Sequence, residues 1–122
     1  MTKSVLVIDD VPDILELLDV LLRREGIQVH KAESASVAMD ILKREAPHGV
    51  VLDIMLPNSD GMKILENIRA SSEHAELPVV CMSAVNLSGE ARAYIQRSSL
   101  GLLDKSSFPD IVARIKKALD TP

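Results

Sequence analysis

The sequence predicts an α/β domain, a five-stranded parallel sheet with helices on both faces. Three observations point there. Five short apolar runs alternate along the chain with five segments whose apolar residues recur at helical spacing. The first, third and fourth runs are apolar nearly throughout, the pattern of strands covered on both faces. No linker, repeat or low-complexity stretch interrupts the 122 residues, so the alternation is assigned to a single domain, 1–122. Right-handed crossovers then place helices on both faces. The common strand order for a doubly wound sheet this small is 2-1-3-4-5.

The elements follow in order. Ser4-Val5-Leu6-Val7-Ile8 is a continuous apolar run that stops at Asp9-Asp10. Pro12 suits the first turn of a helix, where its missing N–H is not needed. Ile14, Leu17, Leu18, Leu21 and Leu22 recur at helical spacing, and Gly26 ends that helix. Gln28 to Ala32 alternates polar and apolar residues, as an edge strand does. His30 within it is read as a surface residue, because no second His or Cys is spaced to share a metal. Ser34 or Ser36 caps a second helix, with Val37, Ala38, Ile41 and Leu42 on its inner face, and Pro47 stops it. The third strand, His48 to Leu52, ends in Asp53 and a turn-rich segment through Pro57 and Gly61. Met62, Leu65 and Ile68 mark the third helix, and the polar loop Ser71 to Leu77 carries a solvated His74. Pro78 to Met82 is the fourth strand, ending at Ser83. Leu87, Ala91, Tyr94 and Ile95 mark a weaker fourth helix, and Gly101 to Asp104 a short fifth strand ending at Lys105. Pro109 opens the last helix, with Ile111, Val112, Ile115 and Leu119 inside, and Lys116 and Lys117 near the C-terminal end of its dipole.

Composition excludes several classes. Aromatic residues are 2% of the chain, so surfaces for stacking nucleic-acid bases are nearly absent. A net charge of −4 gives no basic footprint for DNA or RNA. No apolar run is long enough to span a bilayer, and the first strand begins too early for a signal peptide to precede it. The single Cys81 cannot form an internal disulfide and fits a reducing cytoplasm; inside an apolar strand it reads as a small core residue.

The chemistry gathers at the strand ends. Strand one ends in Asp9 and Asp10, strand three in Asp53, strand four in Ser83 and strand five in Lys105. In an open parallel sheet ligands bind beyond the carboxyl ends of the strands, so these residues converge on one edge. Asp53 alone is equally well read as a cap for the turn that follows it. In company it is not, because three carboxylates in one small cleft repel one another and need a compensating charge. A hard divalent cation with oxygen ligands suits them, and it pairs readily with phosphoryl oxygens. A lysine and a hydroxyl across from the metal suit the remaining oxygens of a phosphoryl group.

On these residues the chain resembles the receiver domains of two-component signalling (CheY-like, with a flavodoxin-like doubly wound fold) over Lys3 to Leu119. The features that match are the Asp9-Asp10 pair, Asp53 with Leu56-Pro57 and Gly61 downstream, Ser83-Ala84 after strand four, and Lys105 after strand five. The resemblance implies that Asp53 accepts a phosphoryl group from a phosphohistidine on a histidine kinase or histidine phosphotransfer protein. It implies Mg²⁺, or Mn²⁺, ligated by Asp10, Asp53 and the Met55 backbone carbonyl, with Asp9 acting through metal-bound water. Lys105 and Ser83 would hold the acceptor or the phosphoryl group, and the phosphorylated domain would switch a surface for an output partner or effector domain. Such a domain is no enzyme in the ordinary sense: it catalyses its own phosphoryl acceptance and a slow hydrolysis of the product.

Two positions depart from the family pattern. Ser106 stands where a proline usually follows the lysine, so the Lys105–Ser106 peptide is expected to be trans, since a cis bond before a non-proline residue costs about 3–4 kcal/mol. Leu102 stands where an aromatic residue usually lies, which weakens the usual aromatic coupling to output. These departures admit a second reading, a degenerate receiver that binds partners without being phosphorylated; the intact acidic residues and Lys105 argue against it. A phosphatase with an aspartate nucleophile would need a cap or an additional catalytic acid, for which no segment is spare. A flavin protein would need a phosphate-cradling loop after strand one, where Asp9 to Asp13 is too acidic.

Overall fold

The computed structural model describes residues 2–120, apart from the Ser59 side chain. Its strands are β1 (Ser4–Ile8), β2 (Gln28–Ala32), β3 (Gly49–Asp53), β4 (Val79–Ser83) and β5 (Leu102–Asp104). Its helices are α1 (Pro12–Arg24), α2 (Ala35–Glu45), α3 (Asp60–Ala70), α4 (Gly89–Ser98) and α5 (Phe108–Asp120), with a 3₁₀ turn over Pro57–Ser59. The sheet runs β2-β1-β3-β4-β5 and every pair is parallel, as the alternation predicts. Among the described residues no helix is long and apolar enough to cross a membrane.

The side-chain period of two divides each central strand between two cores. Leu6, Ile8, Val50, Leu52, Val79 and Cys81 face a core completed by α2, α3 and α4. Val5, Val7, Val51, Val80 and Met82 face a second core built with α1 and α5. With almost no aromatics the cores are aliphatic, each fully buried Leu or Ile contributing about 1.5–3 kcal/mol. Helix α4 is the weakly anchored element, with Ile95 its one fully buried side chain.

Element ends obey local chemistry. Pro12 stands in the first turn of α1. Gly26, at φ 79°, closes the helix while its amide and that of Ile27 bond back to Arg23 and Leu22. Of the two serines expected to cap α2, Ser34 does so, accepting from the Val37 amide at 3.4 Å. That helix ends with Ala46 in the left-handed region at φ 45°, directly before Pro47.

One inner-face assignment, Val37, and one member of a helical repeat, Leu17, are corrected. Leu17 and Val37 are exposed; the buried stripes are Leu15, Leu18 and Leu22 on α1 and Ala38, Ile41 and Leu42 on α2. Helical periodicity admits neighbouring rotations of a helix, and docking on the sheet selects one. The loop carrying His74 also departs from a freely solvated one. Arg69 Nη1 donates to the His74 and Ala75 carbonyls at 3.3 and 3.2 Å, and Nε to the Ser98 carbonyl at 2.6 Å.

Candidate functional site

Register brings the site together. Ile8 lies opposite Leu52, so the next residues, Asp9 and Asp53, leave adjacent strands side by side. Asp53 pairs with Met82, and Ser83 with Asp104, which places Lys105 just past the same edge. Asp9 is completely buried, Asp53 nearly so, and Asp10 exposed. One carboxylate oxygen from each of the three lies within 4.8 Å of the others.

Each buried carboxylate is aimed by the chain next to it. Asp9 Oδ1 accepts from the Val11 amide at 2.8 Å, and Asp53 Oδ1 from the Met55 amide at 2.9 Å. Lys105 Nζ spans the pair, 3.1 Å from Asp9 Oδ1 and 3.0 Å from Asp53 Oδ2. Nζ also lies 2.9 Å from Asp9 Oδ2, an ion pair without hydrogen-bond geometry, and among the described residues this buried oxygen has no hydrogen-bond partner. A buried, unsatisfied carboxylate oxygen beside two further carboxylates is a ligand set short of a cation, and a divalent ion with its waters fits it. Burial raises the Asp9 carboxyl pKa, its hydrogen bonds from Lys105 and Val11 oppose the rise, and the nearby Asp53 charge adds to it. For Lys105 burial works against the charge, but the bonds to Asp9 and Asp53 outweigh it and the ammonium pKa is raised.

The other expected residues are placed as follows. Ser83 is buried at the β4 tip, but its hydroxyl is turned to its own loop, donating to the Val85 carbonyl at 2.7 Å and accepting from the Val85 amide at 3.1 Å. It is joined to the site through the backbone, where the Lys105 amide donates to the Ser83 carbonyl at 2.8 Å. The Met55 side chain is exposed beside the cleft. The Lys105–Ser106 peptide is trans, like every peptide described. Leu102 is partly buried against the α2–α3–α4 core.

Gly61 carries a role beyond its place in the motif. A Cβ there would lie 2.5 Å from the backbone oxygens of both Asp53 and Ile54, so α3 can begin against the β3 tip only with glycine. The turn after Lys105 is also built by side chains that motif reading passes over. Asp104 Oδ1 accepts from Ser106 N at 2.8 Å and Ser106 Oγ at 2.6 Å. The signal for it is an Asp two residues before a serine at a strand end.

A family model, the response regulator receiver domain, matches residues 5–116. The chain belongs to that family. Solved receiver domains share its architecture. The N-terminal domain of a response regulator receiver protein from Methanoculleus marisnigri JR1 is 25% identical over 100% of both chains, with a TM-score of 0.77. A CheY-like response regulator receiver domain protein from Methanospirillum hungatei JF-1 is 21% identical over 98% of this chain and 95% of its own, with a TM-score of 0.86. The BeF3-activated N-terminal receiver domain of Klebsiella pneumoniae RstA is 23% identical over 98% of this chain and 100% of its own, with a TM-score of 0.83. The receiver fold thus extends from end to end of the described chain. Receiver domains work between phosphodonor kinases and output domains, which places this chain in two-component signalling.

Proposed function

We propose that the chain, as a single receiver domain over 1–122, accepts a phosphoryl group on Asp53 from the phosphohistidine of a histidine kinase or histidine phosphotransfer protein. The observation that carries this reading is the Asp53 carboxylate at the tip of the central strand, flanked by two further acids and held 3.0 Å from Lys105 Nζ. An Asp53 oxygen attacks phosphorus in line; the P–O bond forms as the P–N bond to the imidazole breaks, and the imidazole takes its proton from solvent.

Asp10, Asp53 and the Met55 carbonyl would hold Mg²⁺ or Mn²⁺, with Asp9 reaching it through water. Bound there, the ion neutralises charge on carboxylate and phosphoryl oxygens alike, so that two anions can meet. Lys105 already spans Asp9 and Asp53 and is free to follow the phosphoryl group as charge builds. Ser83 donates to a phosphoryl oxygen only after releasing the Val85 carbonyl, so acceptance pulls on the loop that leads into α4. That loop runs to α4, whose one buried side chain is Ile95, which makes it the route to an output partner or effector domain. The domain is a cytoplasmic switch and not an enzyme with a turnover substrate. It modifies itself and slowly hydrolyses the product.

Intact mass after treatment with acetyl phosphate and Mg²⁺ tests the reading. The chain should gain one phosphoryl group, and Asp53→Asn should gain none; an equal gain in that variant removes Asp53 from the role. The alternative, a degenerate receiver that binds partners unphosphorylated, is left room by Leu102 and Ser106 and predicts no gain in either protein. Output has its own test. Leu102 has no ring to swing, so beryllofluoride should shift amide resonances around Ser83 to Glu90, with Leu102 to Lys105 responding mainly at Lys105. A rearrangement centred on Leu102 with a silent Ser83 loop would refute this.

A further inference from the structure

Lys105 reaches the acidic cleft from a loop without proline, and the restraint on that loop comes from Asp104. The Asp104 carboxylate folds back over its own chain: Oδ1 accepts from the Ser106 amide at 2.8 Å and from Ser106 Oγ at 2.6 Å. Its carbonyl accepts from the Ser107 amide at 2.9 Å, while the Lys105 amide is tied to the Ser83 carbonyl at 2.8 Å. A side chain that bonds the backbone two residues on makes an Asx turn, a local substitute for the fixed dihedral of proline. The bonds from the Ser106 hydroxyl and then its amide lower the Asp104 carboxyl pKa, so the acceptor stays charged. The loop borders an open cleft of about 450 Å³ lined by Ile14, Ala84, Asp104, Lys105, Ser106 and Phe108. Asp104 makes no ion pair with Lys105; among the described residues the lysine pairs with Asp9 and Asp53 alone.

We propose that Asp104 is a positioning residue for Lys105: with Ser106 it forms the turn that holds Nζ 3.0 Å from Asp53. The inference rests on the phosphoacceptor reading of Asp53. Its test is the rate of mass gain with acetyl phosphate and Mg²⁺ for the whole chain and for Asp104→Ala, Asp104→Asn, Lys105→Ala and the Asp104→Ala/Lys105→Ala double variant. Asp104→Ala should slow modification about three- to tenfold, the ordering lost with one or two hydrogen bonds. Asp104→Asn, whose amide oxygen accepts the same bonds, should restore most of the rate. Without Lys105 the Asp104→Ala change should slow nothing further, since the carboxylate acts only through the lysine. Ser106→Ala removes the hydroxyl alone and should fall between, which keeps the test usable if Asp104→Ala folds poorly. An unaltered rate in Asp104→Ala, an Asn variant as slow as Ala, or equal slowing with and without Lys105 each overturns the inference while leaving the role of Asp53 standing. A parent chain that gains no mass overturns both.

Discussion

The molecule holds two clusters of charge, and they are built on opposite plans. At the strand tips three carboxylates, Asp9, Asp10 and Asp53, gather with one ammonium, that of Lys105, which pairs with Asp9 and Asp53. At the sheet edge, Asp19 of α1 lies against Arg23 of its own helix and 3.1 Å from Lys31 of β2, which also sits 2.6 Å from Glu16. The second cluster has a cation for each anion. Burial works against the Asp19 charge, but the bonds from Arg23 and Lys31 outweigh it and the carboxyl pKa is lowered. In the first cluster burial prevails and the Asp9 pKa is raised. The fold balances charge where it joins a helix to an edge strand and leaves carboxylates in excess at the strand tips, the place that could hold a charge from outside.

Four experiments break or sharpen this contrast, from the largest expected effect to the smallest. Gly61→Ala forces the start of α3 off the β3 tip and should destabilise the domain by about 2–3 kcal/mol, read from denaturant midpoints, while slowing mass gain at Asp53. A neutral outcome would mean that the tip is not held as tightly as its contacts indicate. Next is Asp10→Ala. If the acidic cluster takes the proposed ion, Mg²⁺ should raise the denaturation midpoint of the parent protein, as any ligand of the native state alone does. The variant should need at least about tenfold more metal for the same rise. Undiminished Mg²⁺ affinity would take Asp10 out of the ligand set.

The third experiment sets the clusters against each other without metal. Asp9→Asn removes a buried and poorly compensated charge and should stabilise the protein at neutral pH by about 1 kcal/mol. Asp19→Asn should destabilise by up to about 1 kcal/mol, because its partners are largely solvated. Both changing stability in the same direction would dissolve the contrast.

The smallest effect is the pH dependence, and its signs are opposite. Asp9 titrates above the ordinary value of 3.8, so its charge costs stability as pH rises from that value through the raised one, and the advantage of Asp9→Asn vanishes below it. Asp19 titrates below 3.8, so its contribution is complete above that value and is lost as pH falls through the lowered one. As pH is lowered from neutral, the denaturant midpoint of Asp9→Asn should therefore converge on that of the parent protein before that of Asp19→Asn does.

Much of this was legible in residue order alone. Short apolar runs bounded by Asp, Gly and Pro marked the strands and apolar residues at helical spacing marked the helices, because the two elements repeat with different periods and lengths. A parallel sheet then places every strand's carboxyl end on one edge, so Asp9, Asp10, Asp53, Ser83 and Lys105 could be assigned to one place before any distance was known. What only the tertiary structure decided were orientations and partners. Periodicity could not exclude Leu17 or Val37 from the core, because neighbouring helix rotations bury similar stripes until a sheet selects one. Sequence could not tell that Asp19 would lie between two cations and that Asp9 would share a single ammonium with Asp53, because charge balance depends on what other elements bring within about 4 Å. It could not show Ser83 turned to Val85, nor Asp104 folded over Ser106, since a short polar side chain chooses among nearby backbone groups that only the folded chain presents.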